Sequence, residues 1–208
     1  MPTWQYDRTT HRYRNADTGK SLGPAQESRL RDRLVDAAAE QMRGHADDLA
    51  GGKIDTGGWL TRMRAAVKTL TVAQFMFGRG GKGSMDKRAY GQAGALVKAQ
   101  YTYLADFARQ IDAGALTDAQ VRARVGLYAA SSTAAHGRGQ GASWGITLGR
   151  VPGDGKTSCK ANCRCRLDIT QTRTAVRVKW IVEPSAEHCD DCTRLAAEWS
   201  PKVFPKGG

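Results

Sequence analysis

Cys159-Lys160-Ala161-Asn162-Cys163-Arg164-Cys165, answered downstream by Cys189-Asp190-Asp191-Cys192, is the stretch on which the reading of the fold turns. All five cysteines lie in the last quarter of the chain. Thiols that merely fill a core scatter along a sequence. Thiols spaced C-x3-C-x-C and C-x2-C gather around one point, as metal ligands do. The last quarter therefore reads as a small module stapled by a structural zinc, and the preceding residues as helices that position it.

The residues around the cysteines support that division. Cys165, Leu167 and Ile169 alternate with Arg164, Arg166 and Asp168, which is strand spacing. Val176, Val178, Trp180 and Val182 alternate likewise with Arg177 and Lys179, and Thr170–Thr174 joins the two runs. An antiparallel hairpin places Cys163 and Cys165 at its open end beside Cys189 and Cys192, so two thiol pairs meet. A short helix carrying Leu195, Ala196 and Trp199 follows, and Pro201 and Pro205 close the chain. A module with few large apolar residues needs such a staple, and the metal's binding energy becomes folding energy. Cys163, Cys189 and Cys192 are the firmest ligands. The fourth is Cys165 or Cys159, and one thiol is surplus. Disulfides are the alternative use of these thiols. A catalytic zinc is disfavoured by an all-thiol set.

Upstream, apolar residues repeat at helical spacing. Pro24 opens a helix to about Asp48 with Leu30, Leu34, Ala38 and Met42 on one stripe. A second runs from about Gly58 to Phe77, with Leu60, Met63, Val67 and Leu70. Gly78–Ser84 reads as a mobile basic loop. It lacks the spacing of a phosphate loop, because Gly83 separates Lys82 from Ser84. Ser84 is the expected cap of a third helix over about 85–113, striped by Val97, Tyr101, Leu104, Ala108 and Ile111. Thr117 and Gln120 form a capping box for a fourth. Ala135–Gly141 reads as a linker by composition, and His11, His45 and His136 as isolated surface residues. Residues 1–24, with Trp4, Tyr6, Tyr13 and several arginines, read as an extended basic and aromatic arm or a short hairpin. The expected fold is thus mainly α: an arm (1–24), a four-helix bundle-like domain (25–140) and a cysteine-rich β-hairpin zinc module (141–208).

The chain has 208 residues, with 32 basic against 20 acidic side chains and a net charge of +12. Such an excess suits a polyanion partner, nucleic acid first. Arg164, Arg166, Arg177 and Lys179 on the hairpin are the candidate nucleic-acid contacts. No apolar run approaches the ~20 residues of a membrane span, and the N-terminus has no apolar leader. The expectation is a protein kept in a cytoplasm, where clustered thiols serve metals more often than disulfides. No catalytic constellation and no small-molecule site is evident, so no enzyme activity is expected.

The run Asp154–Cys165, with its Asn162-Cys163-Arg164-Cys165, resembles the C-terminal signature of tailed-bacteriophage minor head, or head morphogenesis, proteins (Mu F-like minor capsid proteins). Glu187–Ala196 is similar to the second cysteine pair of one branch of that family. Tyr101, Leu104 and Phe107, the turn Gly114–Thr117, then Arg124, Tyr128 and Ser131 fit its helical style. Many relatives carry His-Pro before Asn-Cys-Arg-Cys. Lys160 and Ala161 stand there in this chain, which favours Cys159 as the substitute ligand. The resemblance implies a non-enzymatic virion protein, assembled in the host cytoplasm. It would be held in the head by the portal or the major capsid protein, and would assist head morphogenesis and handling of packaged DNA. The rival reading is a zinc-stapled nucleic-acid-binding protein acting in the cell. A hydrolase would have to draw on Glu187, His188, Asp190 and Asp191.

Overall fold

The computed structural model describes residues 4–159, 163–184 and 187–206. The chain is mainly helical, with a three-stranded sheet near its C-terminus. Lys160, Ala161 and Asn162 of the cysteine signature lie outside the described residues.

The arm is a hairpin. Strand β1 (Trp4–Asp7) pairs antiparallel with β2 (Arg12–Asn15), Tyr6 facing Tyr13. Asp7 Oδ1 accepts from the backbone N–H groups of Thr9 (2.8 Å) and Thr10 (3.2 Å), which closes the turn. The hairpin is strapped to the helices. Tyr13 Oη donates to Phe77 O at 2.8 Å, and the Tyr6 ring covers Gly80, where a Cβ would lie 2.3 Å from a ring carbon.

Five helices follow before the sheet: α1 (Pro24–Ala50), α2 (Thr56–Arg79), α3 (Lys87–Asp112), α4 (Asp118–Ser131) and α5 (Thr133–Ser143). Helix α1 packs on α2 and α4, and α2 on α3 and α5. The helices meet in one core, formed by Met42, Trp59, Met63, Val67, Leu104, Phe107, Val125 and Ala129 among others, but of the stripe expected on α1 Leu30 and Leu34 are exposed, and Ala39, Met42 and Ala46 are the residues it buries. Trp59 meets Phe107 edge-on at 5.2 Å, and the Arg124 guanidinium lies over the Phe107 ring at 4.4 Å.

Three expectations are corrected. First, Ala135–Gly141 is no linker but the middle of α5, so the helices number five rather than four. Its glycines cost helix propensity, yet they permit contact that no side chain would. A Cβ on Gly139 would lie 2.2 Å from Phe75 O, and one on Gly78 would lie 2.1 Å from His136 O. The backbones of α2 and α5 touch there. Second, α3 is capped by Asp86, whose carboxylate accepts from Ala89 N at 2.7 Å. Ser84 sits instead in a 3-10 turn (Lys82–Ser84) and donates to Gly80 O. Third, the loop before α3 is held. Arg79 Nε donates to Ser84 O (2.8 Å) and its Nη1 to Ala142 O (2.9 Å).

The capping box at α4 forms as read. Gln120 N donates to Thr117 Oγ1 and Thr117 N to Gln120 Oε1 (2.8 Å). Thr117→Ala is expected to lower stability by about 1 kcal/mol in a denaturant titration. An unchanged midpoint would show that the cap contributes nothing.

In the C-terminal module β3 (Arg166–Gln171) pairs with β4 (Ala175–Ile181), Leu167 facing Trp180 and Ile169 facing Val178. The strand starts one residue after Cys165. Helix α6 (Asp190–Glu198) packs on β4, and Trp199 meets Trp180 edge-on at 5.8 Å. The hairpin gains a third strand, β5 (Lys202–Pro205), antiparallel to β4. Its two bounding prolines read as a stop. Pro205 is tolerated because it ends an edge strand, where no further partner needs its missing N–H.

Candidate metal centre

Three backbone segments bring the five thiols together. Cys159 ends the loop that leaves the turn at Val151–Asp154. Cys163 and Cys165 approach the start of β3. Cys189 caps α6, and Cys192 lies in its first turn. Cys192 N and Thr193 N both donate to Cys189 O (2.9 and 3.1 Å), so the C-x2-C pair is set by the helix start itself. Asp191 pins the loop to the helix: its Oδ2 accepts from Ser158 N (2.9 Å) and Ser158 Oγ (2.8 Å). Arg194 pairs with the other carboxylate oxygen at 3.2 Å.

The thiols form two triads, Cys159–Cys189–Cys192 and Cys163–Cys165–Cys192, with all sulfurs of a triad within 4.8 Å of one another. Cys192 Sγ lies 3.5 Å from Cys159 Sγ and 3.5 Å from Cys163 Sγ. A tetrahedral ion with ~2.3 Å arms to sulfur separates its ligands by ~3.8 Å. The sulfurs are therefore spaced for a thiolate-binding metal such as zinc, and Cys163, Cys165 and Cys192 are buried. Metal binding requires thiolates, and the cluster shifts its thiols in both directions, with Cys165 and Cys189 lowered and Cys163 and Cys192 raised. Cys165 is pulled down to about 5, first by its hydrogen bond with Cys163, then against burial by Trp180, Cys192 and the Glu183 backbone. Cys163 is pushed up in turn, by donating to Cys165 and by burial. Burial raises Cys189, but the backbones of Cys192 and Cys159 bring it below the ordinary thiol value. Cys192 is raised, by burial foremost.

All five predicted cysteines thus converge. Three of the four basic residues share a sheet face, since the register sets Arg166 opposite Ile181, Asp168 opposite Lys179 and Thr170 opposite Arg177. Arg177 and Lys179 are exposed on one face of β4, opposite the face that Val176, Val178 and Trp180 bury. Arg164 is exposed and Arg166 half-buried, and both line a cleft whose other walls carry Asp32 and Asp36 of α1 and Glu183. Arg31 of α1 lines the same cleft and pairs with Asp32 at 2.9 Å. His188 and Glu187 are exposed, neither belongs to the thiol triads, and Asp191 is committed to Ser158 and Arg194.

A polar pocket escaped the sequence reading. Tyr6, His11, Glu27, His136, Gln140 and Ser143 line it, where the arm, α1 and α5 meet. His136 is not a surface residue but buried, its Nε2 lying 3.2 Å from Glu27 Oε1. Gln140 Nε2 donates to the same oxygen at 3.3 Å. His11 is half-buried and stacks on Trp144 at 3.6 Å, with Nδ1 3.3 Å from both Tyr6 Oη and Ser143 Oγ. Burial lowers its pKa. His45 is half-buried on α1. The available signal was the spacing of His136 and Gln140, four apart and thus on one helix face. Reading the segment as a linker hid it.

Burial alone would raise Glu27, but the hydrogen bond and charge of His136, with Arg31 and Gln140, hold its carboxyl below its ordinary value of 4.5. The folded pKa lies below the unfolded one, so the stabilisation is fully present above the unfolded value and disappears as pH falls through the folded value. The denaturation midpoint should drop as pH falls below that ordinary value of 4.5, and Glu27→Gln should flatten the drop. A variant with an unaltered pH profile would rule the pair out as a contributor.

Comparison with known proteins finds no match, whether among family models, curated proteins or solved structures. Among the described residues no helix is long and apolar enough to cross a membrane.

Proposed function

We propose that this chain is a non-enzymatic minor head protein of a tailed bacteriophage, with the thiol cluster as its structural zinc staple. It would sit at the portal vertex or on the inner face of the capsid, assembled in the host cytoplasm, and assist head morphogenesis. One observation carries the reading: the two halves of the cysteine signature, 30 residues apart by the spacing of Cys159 and Cys189, converge on Cys192. The all-thiol donor set suits a structural metal that closes its coordination with sulfur. The deciding experiment is purification of mature particles. The protein should copurify with portal and major capsid protein at a fixed low copy number. Particles that lack it, formed at normal yield in an infection that expresses it, would refute the role.

Contact with packaged DNA is a second part of the proposal, and the net charge of +12 together with outward-facing Arg177 and Lys179 favours it. Affinity for duplex DNA should fall steeply with salt. Arg177→Ala with Lys179→Ala should reduce the slope of log affinity against log salt by about 1 to 2. An unchanged slope would remove this face from any DNA contact. Strong salt-dependent binding by a protein absent from particles would favour the cellular nucleic-acid-binding alternative.

A further inference from the structure

We infer that the tip of the N-terminal hairpin and the turn end of the C-terminal sheet form one phosphate-binding surface for duplex DNA, built on Arg8, Arg173 and Lys206 and continued along β4 by Arg177 and Lys179. The inference rests on the DNA contact proposed above and adds the arm to it.

The two basic segments are remote in sequence and joined in the fold. Gln171, the last residue of β3, is the link. Its Nε2 donates to Thr9 O at the hairpin tip (3.3 Å), and its Oε1 accepts from Lys206 Nζ (2.7 Å). Lys206 Nζ also donates to Thr172 O (2.9 Å). Arg8 precedes Thr9 and Arg173 follows Thr172, so cations from three segments border one junction, and all three are exposed. From Arg173 the row runs along β4 through Arg177 to Lys179, on the order of 20 Å of extended chain. A row of that length suits a chain of phosphates rather than a single small anion.

Charge is concentrated at the same place. Residues 4–22, 166–181 and 202–206, which make the hairpin and the sheet, hold ten basic and three acidic side chains, hence +7 of the net +12. The remaining 168 residues hold 22 basic and 17 acidic side chains and are close to balanced. The positive field is therefore strongest where arm and sheet meet, which steers a polyanion to that side. Asp7 is the acid beside the tip, and its Oδ1 is already taken by Thr9 N and Thr10 N.

The cations are also held in place. Lys206 uses two of its three ammonium donors on Gln171 and Thr172, which fixes the group and leaves a donor for phosphate. Arg8 spends Nη2 on Gly83 O (3.3 Å) and keeps the rest of its five N–H donors. With the exposed hydroxyls of Thr9, Thr10 and Thr174, such groups grip a sugar-phosphate backbone without reading its bases.

The test uses the full chain and a fluorescent duplex, with affinity measured by anisotropy over a range of sodium chloride concentrations. Arg8→Ala with Arg173→Ala and Lys206→Ala should reduce the slope of log affinity against log salt by about 2 to 3. Should loss of Lys206 unsettle the turn, Arg8→Ala with Arg173→Ala alone should reduce it by about 1 to 2. An unchanged slope in a folded variant overturns the inference. If Arg177→Ala with Lys179→Ala still lowers the slope in that case, the sheet face stands as the DNA contact without the arm. A wild type with no salt-dependent affinity for the duplex overturns both.

Discussion

Gly139→Ala should destabilise the protein by about 3 kcal/mol, and larger residues at this position should prevent folding. In an isolated helix the same change is favourable by about 1 kcal/mol, so the sign itself is diagnostic. The reversal comes from the α2–α5 contact. The added Cβ would stand 2.2 Å from Phe75 O and 3.0 Å from Arg79 N, both backbone atoms that cannot swing aside. Relief requires the two helices to separate along their length, which empties part of the cluster around Phe75, Ala89, Ala93 and Ala135. It also moves His136 away from Glu27. Gly126 in α4 is the control, because nothing lies within 4 Å of a Cβ built there. Gly126→Ala should therefore be neutral or stabilising by up to about 1 kcal/mol. Urea titrations of the two variants, side by side, decide the matter. Equal effects at the two positions would mean that α5 does not cross α2 at its glycines.

The second large effect concerns the module. Removing metal with a strong chelator, or replacing Cys192 by serine, should unfold the C-terminal quarter while the five preceding helices remain. Structural zinc contributes on the order of 10 kcal/mol of apparent binding energy in small modules. The apolar core around Trp180, Leu195 and Trp199 is small and has all five cysteines in or against it. Without the cross-link, α6 and the loop of Cys159 lose their common anchor. Tryptophan emission should shift to the red as Trp180 and Trp199 meet water, with most of the far-UV helical signal retained. Trypsin should then cut after Arg166, Arg173, Arg177 and Lys179. A metal-free protein with native emission and unchanged protease resistance would eliminate the staple. Loss of the helical signal along with the module would instead show that the two parts fold as one unit.

Much of this arrangement is legible in residue order. The stripe Leu60, Met63, Val67 and Leu70 marks α2 because four apolar side chains at that period can only be buried together on a helix. Alternation at Val176, Val178 and Trp180 marks β4 for the corresponding reason in a strand. Thr117 and Gln120 announce a helix start through local hydrogen bonds that need no distant partner. The cysteines declare themselves by grouping. Apart from the cap of α3, where Asp86 rather than Ser84 makes the local hydrogen bond, the deciding interaction was remote in sequence wherever reading failed. Residues 135–141 have glycines that weaken a helix locally, and only the backbone of α2, some sixty residues earlier, makes them favourable. His136 has no neighbour in sequence that foretells Glu27. β5 pairs only because α6 has turned the chain back along β4.

By itself, then, the sequence determined the helical periods, the hairpin and the grouping of the five cysteines, since each depends on neighbours within a few positions. It could not determine how the thiols are shared. Which sulfurs stand together depends on where α6 is placed against β4 and on the Asp191–Ser158 tie, and both are long-range packing outcomes. Only the tertiary structure put Cys192 between two triads, so that the thiol left over in the linear motif has a place in the folded cluster.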